Sequence, residues 1–248
     1  MKRKNSGCWE NQQQRVFSDP LLKLFSQEAI QKATSAIPTF PRTPIRVIEI
    51  GGSGGITKLL RPDWLVSDIR FNNDLDLVFD STEIPFKSST IDLIYAIDVL
   101  HHIRDLESFV NELNRVLKPK GIIYFREPYW GLIAQIVWRF LHPEKYSISA
   151  LKKFQSFKTP MDGNQAIAQG ILKRKSKEVE GLFDDFDLTI LGPHLGLAFA
   201  LSGGHTFTTR FPRSLLLQLH EWEKKHPQWI KHFAFAVDFI LLKPTGKR

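Results

Sequence analysis

The chain alternates short apolar runs, closed by turn residues, with segments whose apolar positions recur at helical spacing. "DPLLKLFSQEAIQKATSAI" (19–37) has Asp19 at a capping position, Pro20 at the first helical position and an apolar face, so it predicts a helix. It ends before the proline-rich linker "PTFPRTP". Five strands then follow: "IRVIEI" (45–50), "WLVSDI" (64–69), "LDLVFD" (75–80), "TIDLIYAID" (90–98) and "GIIYFREP" (121–128). Helices are expected from Ile56 to about Pro62, and over 105–121, where Leu106, Phe109, Val110, Leu113, Val116 and Leu117 share one face. After Pro128 the alternation stops. "GLIAQIVWRFL", "SISALKKFQ" and "GNQAIAQGILKRKSKEVE" read as helices of an insertion. A strand resumes at 186–193, followed by an amphipathic helix over 212–226 and a long last strand over 231–244.

That order predicts an α/β fold. Its sheet is doubly wound and mostly parallel, with an antiparallel last strand at or near its edge and a helical insertion after the fifth strand. The expected units are a tail, helix and linker (1–44), a cofactor-binding core (45–128), an insertion on the lid or acceptor side (129–182), and the closing strands and helix (183–248). In open parallel sheets ligands sit beyond the carboxyl ends of the strands. Glu49, Asp68, Asp80, Asp98 and Glu127 all fall at or near such ends. One such acid would be a turn cap; five at one rim predict a site.

Composition changes the picture little until charge is considered. The 248 residues are 42% hydrophobic and 24% charged, which suits a globular protein with a sizeable core. No apolar run nears the ~20 residues that span a bilayer, and the basic start lacks the apolar stretch of a secretory signal. Cys8 is the lone cysteine, so no intrachain disulfide and no cysteine-based zinc cluster is expected, and a reducing cytoplasm fits. The formal charge is +8, and residues 129–180 hold nine Lys/Arg against four acids. Such a surface favours anionic partners or is simply solvated.

The glycine-rich stretch "VIEIGGSGGITKLL" carries the candidate chemistry. A phosphate-binding loop would need Gly-Lys-Ser/Thr, and Lys58 comes too late. The dinucleotide pattern G-x-G-x-x-G fails, with Thr57 where the third glycine would fall from Gly52 and Ser53 where the second would fall from Gly51. Glu49 would also repel a pyrophosphate. A cofactor without phosphate and with cationic groups suits that acid. S-adenosylmethionine, a sulfonium with an ammonium group, is such a molecule. Asp68 then accepts from its ribose hydroxyls, and Asp80 with Ser81 faces the adenine.

The run "VIEIGGSGG … VSDI … FDSTEIPFKSSTIDLIYAIDVLHHI … NELNRVLKPKGIIYFREP" resembles class I S-adenosylmethionine-dependent methyltransferases over about residues 45–128. The resemblance implies a Rossmann-like core and a cofactor site of Glu49, Gly51, Gly52, Ser53, Gly55, Asp68, Asp80, Ser81, Ile97 and Asp98. Ser53 departs from the family glycine, and Lys120 replaces the second-last glycine of "KPGG". Methyl transfer is an in-line displacement governed by alignment, with a base needed only for a poorly ionised acceptor. Candidates are His101, His102, Glu127 and Tyr129; His142, His194 and His205 lie in the variable part. No cysteine suits cytosine-C5 chemistry, and "IDVLHHI" stands where amino-base methyltransferases carry Asn/Asp-Pro-Pro-aromatic. The subgroup implies a small-molecule, lipid or glycan acceptor. RNA, or a binding protein without catalysis, remains as the alternative. The helix over 131–142 is a lid, a peripheral membrane contact or simple packing. A cytoplasmic location, with or without that contact, is expected, and no metal is.

Overall fold

The computed structural model describes residues 18–38, 45–52, 55–141, 144–173, 176–204 and 211–246. The first helix, α1 (Pro20–Ser35), starts as expected: the Asp19 carboxylate accepts from the Leu21 N–H at 3.1 Å, and Pro20 occupies the first turn. The strands are β1 (Val47–Ile50), β2 (Leu65–Asp68), β3 (Leu77–Val78), β4 (Ile91–Ile97), β5 (Leu117–Pro128), β6 (Asp187–His194) and β7 (Ala236–Leu242). They form one sheet in the order β3-β2-β1-β4-β5-β7-β6. The first five run parallel, and β7 is antiparallel to both β5 and β6, one place in from the edge.

Helices cover both faces. On one, α3 (Leu106–Val116) buries Phe109, Val110 and Leu113 against Ile94, Ile123 and Phe125. The insertion continues that core through Leu151, Ala166, Ile167, Val179 and Phe183. On the other face, Ala29, Ile30 and Ala33 of α1 pack against Val47, Trp64, Tyr95 and Tyr124. Then α6 (Leu197–Ser202) and α7 (Arg213–Lys225) join the near end of α1, where Leu21, Leu22, Phe25, Ala198 and Leu216 cluster. The remaining helices are α2 (Ile56–Leu60), α4 (Leu132–Leu141), α5 (Ile167–Leu172) and α8 (Pro227–Phe233). Among the described residues, no helix is long and apolar enough to cross a membrane.

Several elements differ from the sequence reading. The helix expected over 105–121 stops at Val116, because Leu117 already pairs with Ile91 at the start of β5. The insertion is mostly turns: 147–155 is not helical, and the described residues of 163–180 hold only α5. Polar side chains there bind backbone instead. Asn164 donates to Ser147 O and accepts from Ser147 N and Ala166 N, which competes with a helical ladder. Residues 231–233 end a helix begun by Pro227, so the last strand starts only at Ala236.

Candidate active site

The turn after β1 is built around Glu49. Gly51 sits at φ +77°, and a Cβ there would lie 2.3 Å from Val99 Cγ2. A Cβ on Gly52 would lie 2.4 Å from both Glu49 Oε2 and Val66 Cγ1. Gly55, at φ +62°, caps α2. These positions accept glycine for lack of space or for the left-handed conformation. Ser53 lies outside the described residues. The Glu49 carboxyl is buried; Oε1 accepts from the Thr57 hydroxyl at 2.8 Å, while Oε2 is buried without a partner. Burial, reinforced by the Asp68 charge and opposed by Thr57, pushes its pKa up to about 8. An acid held neutral against a cramped glycine turn fits a cationic group arriving there.

The other rim acids follow. At the end of β2, Asp68 Oδ1 accepts from the backbone N–H of Arg70 at 2.8 Å and from its guanidinium at 3.3 Å. Asp80 Oδ1 accepts from the Thr82 amide and hydroxyl, with Ser81 buried beside it. Ile97 ends β4 and precedes Asp98, which takes φ +54°, an uncommon state for a non-glycine residue. Asp98 opens onto the cavity, yet the surrounding walls and the nearby Glu127 charge push its pKa up to about 7.

All these groups, Ser53 apart, line one cavity of about 1000 Å³. Its two ends differ. The acids lie under β1–β3, with Phe154, Phe157 and Met161 of the insertion across them. Arg70 donates to Met161 Sδ at 2.8 Å and the Arg104 guanidinium lies 4.7 Å over the Phe154 ring, which tie that strap down. The far end, above β5 and β7, is walled by Phe25, Leu195, Phe199 and Phe235, with Arg126 reaching it. No described side chain of α4 lines the cavity; it turns Ala134 inward and leaves Leu132 and Ile136 exposed, so the covering role falls to 154–161.

Four candidate bases separate here. Glu127 is not a rim acid: it is fully buried and accepts from the amides of Val99, Leu100 and His101 at 2.9, 2.7 and 3.3 Å. It therefore shapes the turn after β4 rather than facing a ligand. Tyr129 pairs its N–H with Phe235 O and does not line the cavity. His101 and His102 do line it, their rings tilted by 41° with centres 4.1 Å apart. His101 Nδ1 meets Glu127 at 2.6 Å and its Nε2 meets Glu144 at 3.3 Å. Burial alone would lower its pKa, but the two carboxylates hold it up to about 10. His102 is lowered by burial and by the His101 charge. Of the other histidines, His194 is half-buried against Asp238 at 3.0 Å and lowered by desolvation to about 3, away from the cavity; His142 and His205 lie outside the described residues.

Beneath the apolar end sits a buried charge cluster. Asp238 of β7 meets Lys32 Nζ at 2.6 Å and Arg126 Nε at 3.0 Å. Burial would raise its pKa, but Arg126, His194 and Lys32 outweigh it and hold the carboxyl well below the usual range. Sequence reasoning missed Glu144 and the aromatic wall. Glu144 comes from an insertion with no motif, and Phe25, Phe199 and Phe235 are brought together only by α1, α6 and β7.

Residues 65–125 match the family model described as a methyltransferase domain. The matched stretch runs from β2 into β5 and carries Asp68, Asp80 and Asp98, so this part of the core is similar to a methyltransferase domain. No curated protein matches the chain in sequence. Among solved structures, a methyltransferase from Archaeoglobus fulgidus described as dependent on S-adenosylmethionine is 13% identical, with 88% of this chain and 93% of that one covered (TM-score 0.49). The YcgJ protein of Bacillus subtilis is 14% identical, with 89% and 100% covered (TM-score 0.47). A phosphoethanolamine N-methyltransferase of Haemonchus contortus, solved with S-adenosylhomocysteine, is 15% identical; this chain is covered over 88% but spans about half (52%) of that chain (TM-score 0.45).

Proposed function

We propose that the protein methylates a small, largely apolar acceptor that carries an ionisable oxygen or nitrogen. The observation that carries this is the division of one cavity into an acid-lined end and an aromatic end, with Asp98 between them. Glu49, Gly51, Gly52 and Gly55 hold the amino-acid part of the cofactor, Asp68 its ribose, Asp80 and Ser81 its base, and Ile97 and Asp98 flank its centre. When bound, S-adenosylmethionine supplies an electrophilic methyl group on a sulfonium. The chain's own work is placement. Phe25, Leu195, Phe199 and Phe235 exclude water from the acceptor and hold it by apolar contact. Asp98, with a pKa near neutrality, takes the acceptor's proton.

Calorimetry with S-adenosylmethionine, followed by methyl-label transfer to a panel of phenols, amines and carboxylic acids, tests the reading. The expected results are binding in the micromolar range and label on an apolar acceptor, with kcat rising as pH passes about 7 and lost in Asp98→Asn. No binding at millimolar cofactor would sink the enzyme. Label carried only by RNA, with steep salt dependence, would move the acceptor to nucleic acid.

A further inference from the structure

We propose that His101, His102 and Glu144 form a divalent transition-metal site opening onto the acceptor side of the cavity. One ligand atom from each residue lies within 4.8 Å of the others. Glu144 Oε2 is 3.3 Å from His101 Nε2, and its Oε1 is 3.9 Å from His102 Nε2. Nitrogen and oxygen ligands about 2.0–2.1 Å from a zinc ion stand about 3.4 Å apart, a spacing that His101 and Glu144 already have and that His102 reaches by closing on Glu144 by about half an ångström.

The second observation concerns the far side of each ring. His101 Nδ1 is held by the Glu127 carboxylate at 2.6 Å and His102 Nδ1 by the Asp162 carbonyl at 3.1 Å. Metal-ligating histidines are oriented in this way, with an acceptor behind one nitrogen so that the other points its lone pair at the ion. Glu127, whose other contacts fix the turn that bears both histidines, would set that orientation. Gly163 adds room: a Cβ there would sit 3.1 Å from Glu144 Oε2, His101 Cδ2 and His102 Nδ1 together.

Two imidazoles and one carboxylate suit zinc and its neighbours rather than magnesium or calcium, which take oxygen shells. Three protein ligands leave positions open, the pattern of a site that binds a reactant and not only structure. All three residues line the same cavity as Asp98. An acceptor oxygen on the ion would be polarised there beside Asp98. That role, unlike the site itself, rests on the methyltransferase reading. The other His/Glu group, Glu28, His220 and Glu221, already holds the Lys224 ammonium at 3.0 Å from Glu28 and 3.1 Å from Glu221, so it offers a control.

The test is equilibrium dialysis of the full chain against Zn²⁺ and, separately, Co²⁺, read by elemental analysis and by the visible spectrum of bound cobalt. Binding near one equivalent is expected, reduced at least tenfold in His102→Ala and in Glu144→Gln and unchanged in Glu221→Gln. Zn²⁺ should raise the melting temperature of the wild type and not of the two ligand variants. S-adenosylmethionine binding by those variants, measured in parallel, separates failure of the metal site from failure of the methyltransferase reading. Less than about a tenth of an equivalent at about 100 μM free metal, or binding undiminished in both ligand variants, overturns the proposal.

Discussion

Glu49→Gln perturbs stability and cofactor affinity in opposite directions. In the folded protein the Glu49 carboxyl ionises at about 8, against 4.5 for the free group, through burial first and Asp68 second. Between those pH values the unfolded chain has released this proton and the folded chain has kept it. Stability from this group is complete below the unfolded value and falls as pH rises to the folded one, by up to about 1.4 kcal/mol per pH unit. Glutamine has no proton to release. From pH 6 to pH 8 the wild type therefore loses about 2.3 kcal/mol at this position and the variant loses none. Other groups titrate in both proteins and cancel in the difference. In a chain of this size about 1 kcal/mol moves the melting temperature by about 2–4 °C, so the gap should shift about 5–10 °C in the variant's favour. Thermal melts of the cofactor-free proteins at pH 6, 7 and 8 read it directly. Meanwhile the variant, lacking the carboxylate charge, should bind S-adenosylmethionine about 10–100-fold more weakly, the loss of a charged hydrogen bond. A melting gap that does not change with pH would refute the account of Glu49 as an acid kept neutral by burial.

Gly51→Ala faces both a positive φ and Val99 Cγ2, and should lower stability by about 2–4 kcal/mol, measured by chemical denaturation. Asp68→Ala should raise the cofactor Kd about 10–100-fold by calorimetry while the circular dichroism spectrum stays unchanged. Asp238→Asn leaves Arg126 and Lys32 facing a neutral group; it should cost about 3–5 kcal/mol at pH 7 by urea unfolding. That deficit should shrink on acidification, because a carboxyl with a depressed folded pKa stabilises only above the unfolded value.

The half of the site built from consecutive strand ends was legible in the sequence. Glu49, Asp68, Asp80 and Asp98 each fall at or near the end of an apolar run, and parallel topology puts those ends on one rim. Glu127 obeyed the same pattern and still fell inside, since nothing local says that its carboxylate turns toward the amides of 99–101. Of the three helices expected in the insertion, the first forms as α4 and the third only as the short α5, while 147–155 stays irregular, where Asn164 and Gln155 bond their side chains to backbone. Glu144 reaches His101 across 43 positions of sequence, and no spacing rule spans that distance.

Lys32 and Asp238, one closed ion pair in the charge cluster under the apolar end, are 206 positions apart. During synthesis β1 to β5, with the whole glycine loop and its acids, are complete long before β7 is made. Over that interval Arg126 lacks its carboxylate partner, and Phe25 on α1 lacks Phe235, which lines the same cavity. A long loop costs little extra free energy to close, but such contacts come late in folding. The two ends of this cavity thus mature in sequence: the acid-lined end with the first half of the chain, the aromatic end only when the last strand arrives to join the first helix.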